Sequence, residues 1–428
     1  MLTTARFKLF FCTAALAAGV CLATGCETAP KQSENRSFSG TRASGDARPA
    51  PRQPGGAPAA VPNDPESMLR PAGQLMTTRV RAGVLPRGVI PYDDLTLPVV
   101  SPDGRFIATQ TGVPPTWPTI LAEHDALPPI ASRIEIYNIE GRTPQFVASP
   151  DMPLLLGRNA DMHGFLVESP QEDGSRWIGH VAWTTGLLTW LVDDEFVNAF
   201  AVLGPDGRLA WCRRSVDENN FELVAHHRDS TWTIPSQGES WLMPMWCGTR
   251  AGGFALFAFA LRAGYLDVAF IPAIESANAR QTMRRFTIGE EVTVFSAYQA
   301  VSAQTNSVTG FTEEIVFFHP RSWRMAVWRP LTARGPVVVP GERSFAALIA
   351  SVAGESSDGR LAIVCTEKSL TVQNINNVRD RAELIAGMLL PRATSSAEWP
   401  YLLLSPSDGH IGLTSLTLLP AEDRAMAR

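Results

Sequence analysis

The residues best placed to do chemistry are Glu123, His124 and Asp125, which set an imidazole between two carboxylates, the ingredients of a general base. They share a Pro-rich stretch, 112–132, with Trp117, and this stretch lies between two strand-like runs. Trp117, Glu123, His124 and Asp125 are therefore expected on a surface loop, either a recognition element or merely a long Pro-stiffened connection, and not as a catalytic centre. His226-His227 would point to opposite faces of a strand and could not share a metal without a third element. Asp193-Asp194-Glu195 clusters carboxylates, but no regularly spaced ligand loop surrounds it, so a solvated turn is expected. Cys212, Cys247 and Cys365 show no Cys-x-x-Cys spacing; three buried free thiols and one disulfide, Cys212 with Cys247, both stay open. No Gly-x-Ser-x-Gly elbow, P-loop, dinucleotide fingerprint, His-Glu-x-x-His or EF-hand loop is present. The expectation is no catalytic residue, no metal site and no cofactor.

The start of the chain carries an address. Arg6 and Lys8 precede an apolar run from Leu9 to Leu22, a basic and then apolar pattern too short for a resident membrane helix. The Leu22-Ala23-Thr24-Gly25-Cys26 segment that follows resembles the bacterial lipobox, with Ala23 where that family usually has Leu. The resemblance implies cleavage before Cys26 and lipidation of its sulfur, which would anchor the chain in a membrane. Glu27, and not Asp, after the cysteine points to the periplasmic face of the outer membrane. Residues 26–75 are rich in Pro, Gly, Ala, Ser, Arg and Gln, a composition unable to bury enough surface to fold. As a flexible tether they would reach on the order of 40 Å.

The elements that must hold these residues are strands. Ser101-Pro102-Asp103-Gly104-Arg105 stands between apolar runs; Pro102 suits the first corner of a type I turn and Gly104 supplies the positive φ that closes a hairpin. Asp-Gly pairs return at Gly207, Gly359 and Gly409, near multiples of about 51 residues. Gly164, Gly253 and Gly310 fill the missing positions. Within a unit, alternating runs such as Arg133–Tyr137 and Trp177–Trp183 are followed by turns and further short runs. Phe254–Leu261 is the most apolar run, and Arg262 ends it, so it is expected as a buried strand returning through Tyr265–Ile271. Most of the eleven tryptophans should pack unit against unit.

Four short strands per unit predict an all-β fold, a β-propeller of seven four-stranded blades over residues 76–420, with 1–25 as signal peptide and 421–428 as a tail. Residues 77–90 are expected to complete the last blade and fasten the ring. The Pro102-Asp103-Gly104-Arg105 and Pro205-Asp206-Gly207-Arg208 turns resemble the WD-repeat-like propellers of the TolB family and of prolyl-oligopeptidase N-terminal domains. Thr185-Gly186-Leu187-Leu188-Thr189-Trp190 resembles a quinoprotein-type blade. The chain stops just after the last strand pattern, which leaves no room for a hydrolase domain there. The net charge of −5 disfavours nucleic acid as a partner. The expected function is a monomeric, lipid-anchored envelope module that binds a protein or glycan without catalysis. The alternative is a lyase- or hydrolase-type enzyme acting in the central funnel.

Overall fold

The computed structural model describes residues 80–420 apart from some single positions and short stretches, the longest being 93–97, 112–132, 249–253, 291–301, 306–311, 320–323, 339–343 and 353–360. Cys26, Trp117, Glu123, His124 and Asp125 lie outside the described residues, as do Gly253, Gly310 and Gly359.

The fold is an all-β β-propeller. After β1 (Val80–Pro91), the chain lays down antiparallel meanders in sequence order. The first is β2 (Val99–Val100), β3 (Phe106–Thr111), β4 (Arg133–Asn138) and β5 (Gln145–Ala148). Next come β6 (Leu155–Ala160), β7 (Gly164–Pro170), β8 (Arg176–Ala182) and β9 (Leu188–Val192), then β10 (Val197–Leu203), β11 (Leu209–Arg214), β12 (Glu222–His227) and β13 (Ser230–Ile234). A single parallel pair, Val197 with Arg176, joins these two meanders into one eight-stranded sheet. Four-stranded sheets follow: β14 (Ser240–Gly248), β15 (Phe254–Arg262), β16 (Tyr265–Ile271) and β17 (Arg284–Glu290), with a short helix α1 (Ala279–Thr282) before β17. The next is β18 (Ser302–Thr305), β19 (Thr312–His319), β20 (Arg324–Trp328) and β21 (Val337–Val338). Then come β22 (Ser344–Ala350), β23 (Leu361–Thr366), β24 (Ser369–Asn374) and β25 (Asn377–Ala386). The last sheet is β26 (Leu390–Ala393), β27 (Tyr401–Ser407) and β28 (His410–Pro420), completed by β1 as its outermost strand. First strands neighbour one another in order, β2 with β6, β6 with β10, β10 with β14, β14 with β18, β18 with β22 and β22 with β26, as propeller geometry requires.

β1 fastens the ring. Val80 stands opposite Pro420 and Pro91 opposite His410, so the chain enters at one end of the sheet stack and reaches the other along this strand. The first and last sheets are then bonded directly: the Arg87 guanidinium donates to Glu140 O at 2.5 Å and the Ser395 amide to Pro102 O at 2.5 Å. The expected closing strand supplies one strand; β26 supplies the other from the C-terminal side.

The Ser101–Arg105 turn has the predicted form. The Gly104 amide donates to Ser101 O at 2.9 Å, Gly104 takes φ +72, and the Ser101 hydroxyl donates to Asp103 Oδ1. The Pro205-Asp206-Gly207 turn differs, because Asp206 itself is left-handed at φ 60. Gly204 stands where the first turn has Ser101, so no hydroxyl holds the Asp206 carboxylate, and a Cβ there would meet the Trp246 ring at 2.7 Å. Gly409 does not occupy the repeat position expected of it. Asp103-Gly104 and Asp206-Gly207 join first to second strands, whereas Gly409 lies between β27 and β28, at the opposite end. First strands begin at Val99, Leu155, Val197, Ser240, Ser302, Ser344 and Leu390, an uneven spacing that a single period does not describe.

Apolar faces packed sheet against sheet make the core. One cluster runs from Val197 and Cys212 through Trp241 and Phe257 to Phe317 and Trp328, spanning three successive meanders. Phe106 stacks on Trp183 at 5.9 Å, and Phe286 meets Trp328 edge-on at 5.6 Å, so these tryptophans pack between sheets as expected. The seams also carry a recurring polar contact. Gln110 on β3 takes the Leu156 amide at 2.9 Å and donates to Leu154 O at 2.8 Å. Glu168 on β7 takes the Phe200 amide at 3.1 Å. The Met243 amide bonds Cys212 on β11, and the Leu389 amide bonds Cys365 on β23. Each acceptor sits on the second strand of a sheet, and each donor on or beside the next sheet's first strand. Phe200 and Met243 have φ 58 and 50, at register shifts of β10 and β14, so these contacts hold strained backbone. Cys212, Cys247 and Cys365 are buried free thiols, and the disulfide alternative is not formed.

Candidate functional site

In a four-stranded meander, the connection between second and third strands lies at the same end as the connections between sheets. Stretch 112–132 joins β3 to β4, and its flanking strands end at Thr111 and Arg133 on that end. The β7–β8, β11–β12 and β15–β16 hairpins share the face, as do 193–196 and 235–239. Val80 and Pro420 lie at the other end.

On the face of the expected loop, beside the separate Glu168–Arg176 and Arg213–Glu222 pairs, the described residues form a larger charged cluster built on the sheet β14–β17. Trp241, Ala260, Asp267 and Thr287 are in register across its four strands and so share one side. Asp267 interrupts the apolar strand Tyr265–Ile271, and a buried carboxylate needs charged or hydrogen-bonding partners. It is 1% exposed and finds them: Arg285 Nε donates to Oδ2 at 2.6 Å, Thr287 Oγ1 to Oδ1 at 2.6 Å, and Arg262 Nε lies 3.4 Å away. Glu239, in the connection leading into β14, is also buried. Its Oε1 takes a 2.6 Å bond from Arg280 Nη2 on α1 and faces Arg285 Nη1 at 3.8 Å. Arg280 Nη1 donates to Pro235 O at 2.6 Å, which ties α1 to the connection from the preceding meander. Arg285 also lies over the Trp241 ring, 5.8 Å from its centre. Two donors here, Arg285 Nη2 and Trp241 Nε1, are buried and have no acceptor among the described residues.

This arrangement has no imidazole, and each carboxylate is bound by a guanidinium, so it provides hydrogen-bond donors and not a proton shuttle. The sequence carried one signal for it, Asp267 within an apolar strand. Its partners come from β15, β17, α1 and the connection before β14, which sequence spacing does not bring together.

Two other sequence candidates, the acidic triplet and the His226-His227 pair, have local partners, as does Asp161. Asp194 Oδ1 takes bonds from the Phe196 amide at 3.2 Å and Asn198 Nδ2 at 2.6 Å, which makes the acidic triplet a turn. His226 Nδ1 pairs with Thr231 Oγ1 at 3.0 Å on its own hairpin. Asp161, at the opposite end, holds the His163 and Gly164 amides at 2.8 Å each and His180 Nε2 at 3.2 Å. Burial pushes its carboxyl up, but His180 and the two amides outweigh this and hold it at about 2. Among the described residues no three His, Cys, Asp or Glu side chains are grouped to hold a metal, and no helix is long and apolar enough to cross a membrane.

No family model and no curated protein matches the chain. Solved structures that resemble it include a propeller, a hydrolase and a protein described as TolB. The Dos1 propeller is 11% identical with a TM-score of 0.44, over 80% of this chain and 97% of that one. A puromycin hydrolase is 12% identical with a TM-score of 0.43, over 74% of this chain and 51% of the hydrolase. A protein described as TolB from Agrobacterium tumefaciens is 10% identical with a TM-score of 0.34, over 79% of this chain and 98% of that one. These likenesses concern the fold alone.

Proposed function

We propose that the chain is a lipid-anchored envelope propeller that binds a protein or glycan partner, without catalysis, on the face carrying residues 112–132. We read the eight-stranded sheet as two blades, and the ring as seven, because among the described residues its halves share a single strand pair, Val197 with Arg176. The observation that carries the reading is the direction of β1. The N-terminal residues join the ring at Val80, at the end opposite the 112–132 connection. With Cys26 lipidated and 26–75 as tether, attachment at Val80 leaves that face clear of the tether. A rigid ring on a flexible tether then searches for its partner with its connecting loops. We place the protein at the periplasmic face of the outer membrane.

The rival reading, an enzyme in the funnel, calls for titratable side chains converging from several sheets. The Asp267–Glu239 cluster draws instead on one sheet and the connection entering it. Two measurements on the full chain test the proposal. Cys26→Ala should abolish incorporation of a fatty-acid analogue and release the protein from the membrane fraction. Deletion of 112–132 should abolish capture of the partner by in-cell crosslinking; unchanged capture would sink the loop's role.

A further inference from the structure

The charged cluster presents its charges in layers. Its carboxylates are inside, Asp267 at 1% and Glu239 at 4% side-chain exposure, and its guanidinium groups lie outside them. Arg262 is 53% exposed, Arg280 26% and Arg285 22%. Three arginines over two carboxylates leave the group cationic on a chain whose net charge is −5. Beside Arg262, and directly paired with it across the β15–β16 hairpin, Tyr265 is 42% exposed. Ala263, in the turn between them, takes φ 38. Glu290 stands opposite Tyr265 in the register of β16 and β17.

We propose that Arg262, Tyr265 and Arg280 dock an acidic segment of a protein partner; this rests on the assignment of this face to partner binding. The buried carboxylates fix the guanidinium forks before the partner arrives, which lowers the ordering cost of binding. Planar N–H forks match carboxylates, and a half-exposed tyrosine beside them supplies apolar contact, the residue types that dominate interfaces.

The test uses the full chain and fluorescein-labelled hexaglutamate, followed by anisotropy, with hexalysine as the comparison. Hexaglutamate is expected to bind and hexalysine not to, with affinity falling as salt rises. Arg262→Glu should weaken binding about tenfold, and Tyr265→Ser several-fold. Arg262→Lys should retain most of it. Both side chains are exposed, and an unchanged melting temperature confirms that each variant folds. Equal binding of both peptides, or Arg262→Glu binding like the parent, overturns the proposal. In-cell capture separates its failure from that of the face assignment. Capture lost on deleting 112–132 but unchanged in Arg262→Glu overturns the hairpin alone, and capture unchanged in both overturns the two together.

Discussion

Glu168 on one meander accepts the amide of Phe200 on the next at 3.1 Å, and its second oxygen takes Arg176 Nη1 at 2.9 Å. Phe200 is left-handed at φ 58, so the carboxylate secures a strained residue where two meanders merge into one sheet. Glu168 and Arg176 are 17% and 12% exposed, and removing the carboxylate takes the acceptor from a largely buried cation and from the Phe200 amide. Glu168→Ala should cost about 2–4 kcal/mol, and Glu168→Gln less, because the amide oxygen still accepts. Urea denaturation measures both; a loss below about 0.5 kcal/mol for Glu168→Ala would remove the seam contact from the account.

Asp161 makes stability depend on acid. Its folded carboxyl, at about 2, lies below its ordinary value of 3.8, so its contribution is present in full above that value. Protonation then removes it as pH falls from about 4 to about 2. The urea midpoint of the parent should drop more steeply over that interval than that of Asp161→Asn. Parallel curves would contradict the assignment.

Two glycines near the second Pro-Asp turn separate packing from backbone strain. A Cβ on Gly204 would meet the Trp246 ring at 2.7 Å, so Gly204→Ala should cost about 1–3 kcal/mol through overpacking. Gly207 has open space but φ +74, so Gly207→Ala should cost about 1–2 kcal/mol through backbone strain alone. Trp246→Leu should relieve the first variant and leave the second unchanged.

Burial pushes the Cys365 thiol up to about 12 and the Cys212 thiol well above its usual range. Neither should react with iodoacetamide at neutral pH until urea unfolds the protein, as peptide mass spectrometry would record. Labelling in the native state would contradict their placement at the seams.

The strands and their closure were legible because local patterns suffice for them. Phe254–Leu261 and Tyr265–Ile271 are apolar runs of strand length, and the structure pairs β15 with β16 accordingly. Val80–Pro91 carries enough apolar residues, with strands missing from the last unit, to be recognised as the fastening strand. The repeat phase was not legible. An Asp-Gly hairpin reports a tight turn but not which turn of the meander it is, so Gly104 and Gly409 look alike in sequence and lie at opposite ends. Nor does Pro-Asp-Gly-Arg fix one turn: Gly104 and Gly207 are both left-handed, but Asp206 is left-handed as well. The Asp267 cluster depended on long-range partners, since Glu239 and Arg280 stand 41 residues apart and meet only once the β14–β17 sheet forms. Cys26 and the Trp117–Asp125 group lie outside the described residues, and their roles rest on sequence and on where Thr111 and Arg133 place the loop's ends.

The central claim is that the ring binds a partner on the face opposite its point of attachment. In-cell crosslinking of the full-length, lipidated chain with mass spectrometry tests it most directly. The account predicts one dominant envelope partner, crosslinked to 112–132, to the β11–β12 connection or to the hairpin at Arg262 and Tyr265. Crosslinks concentrated at Asp103-Gly104, Asp161 or Asp206-Gly207, on the face where β1 enters, would contradict it.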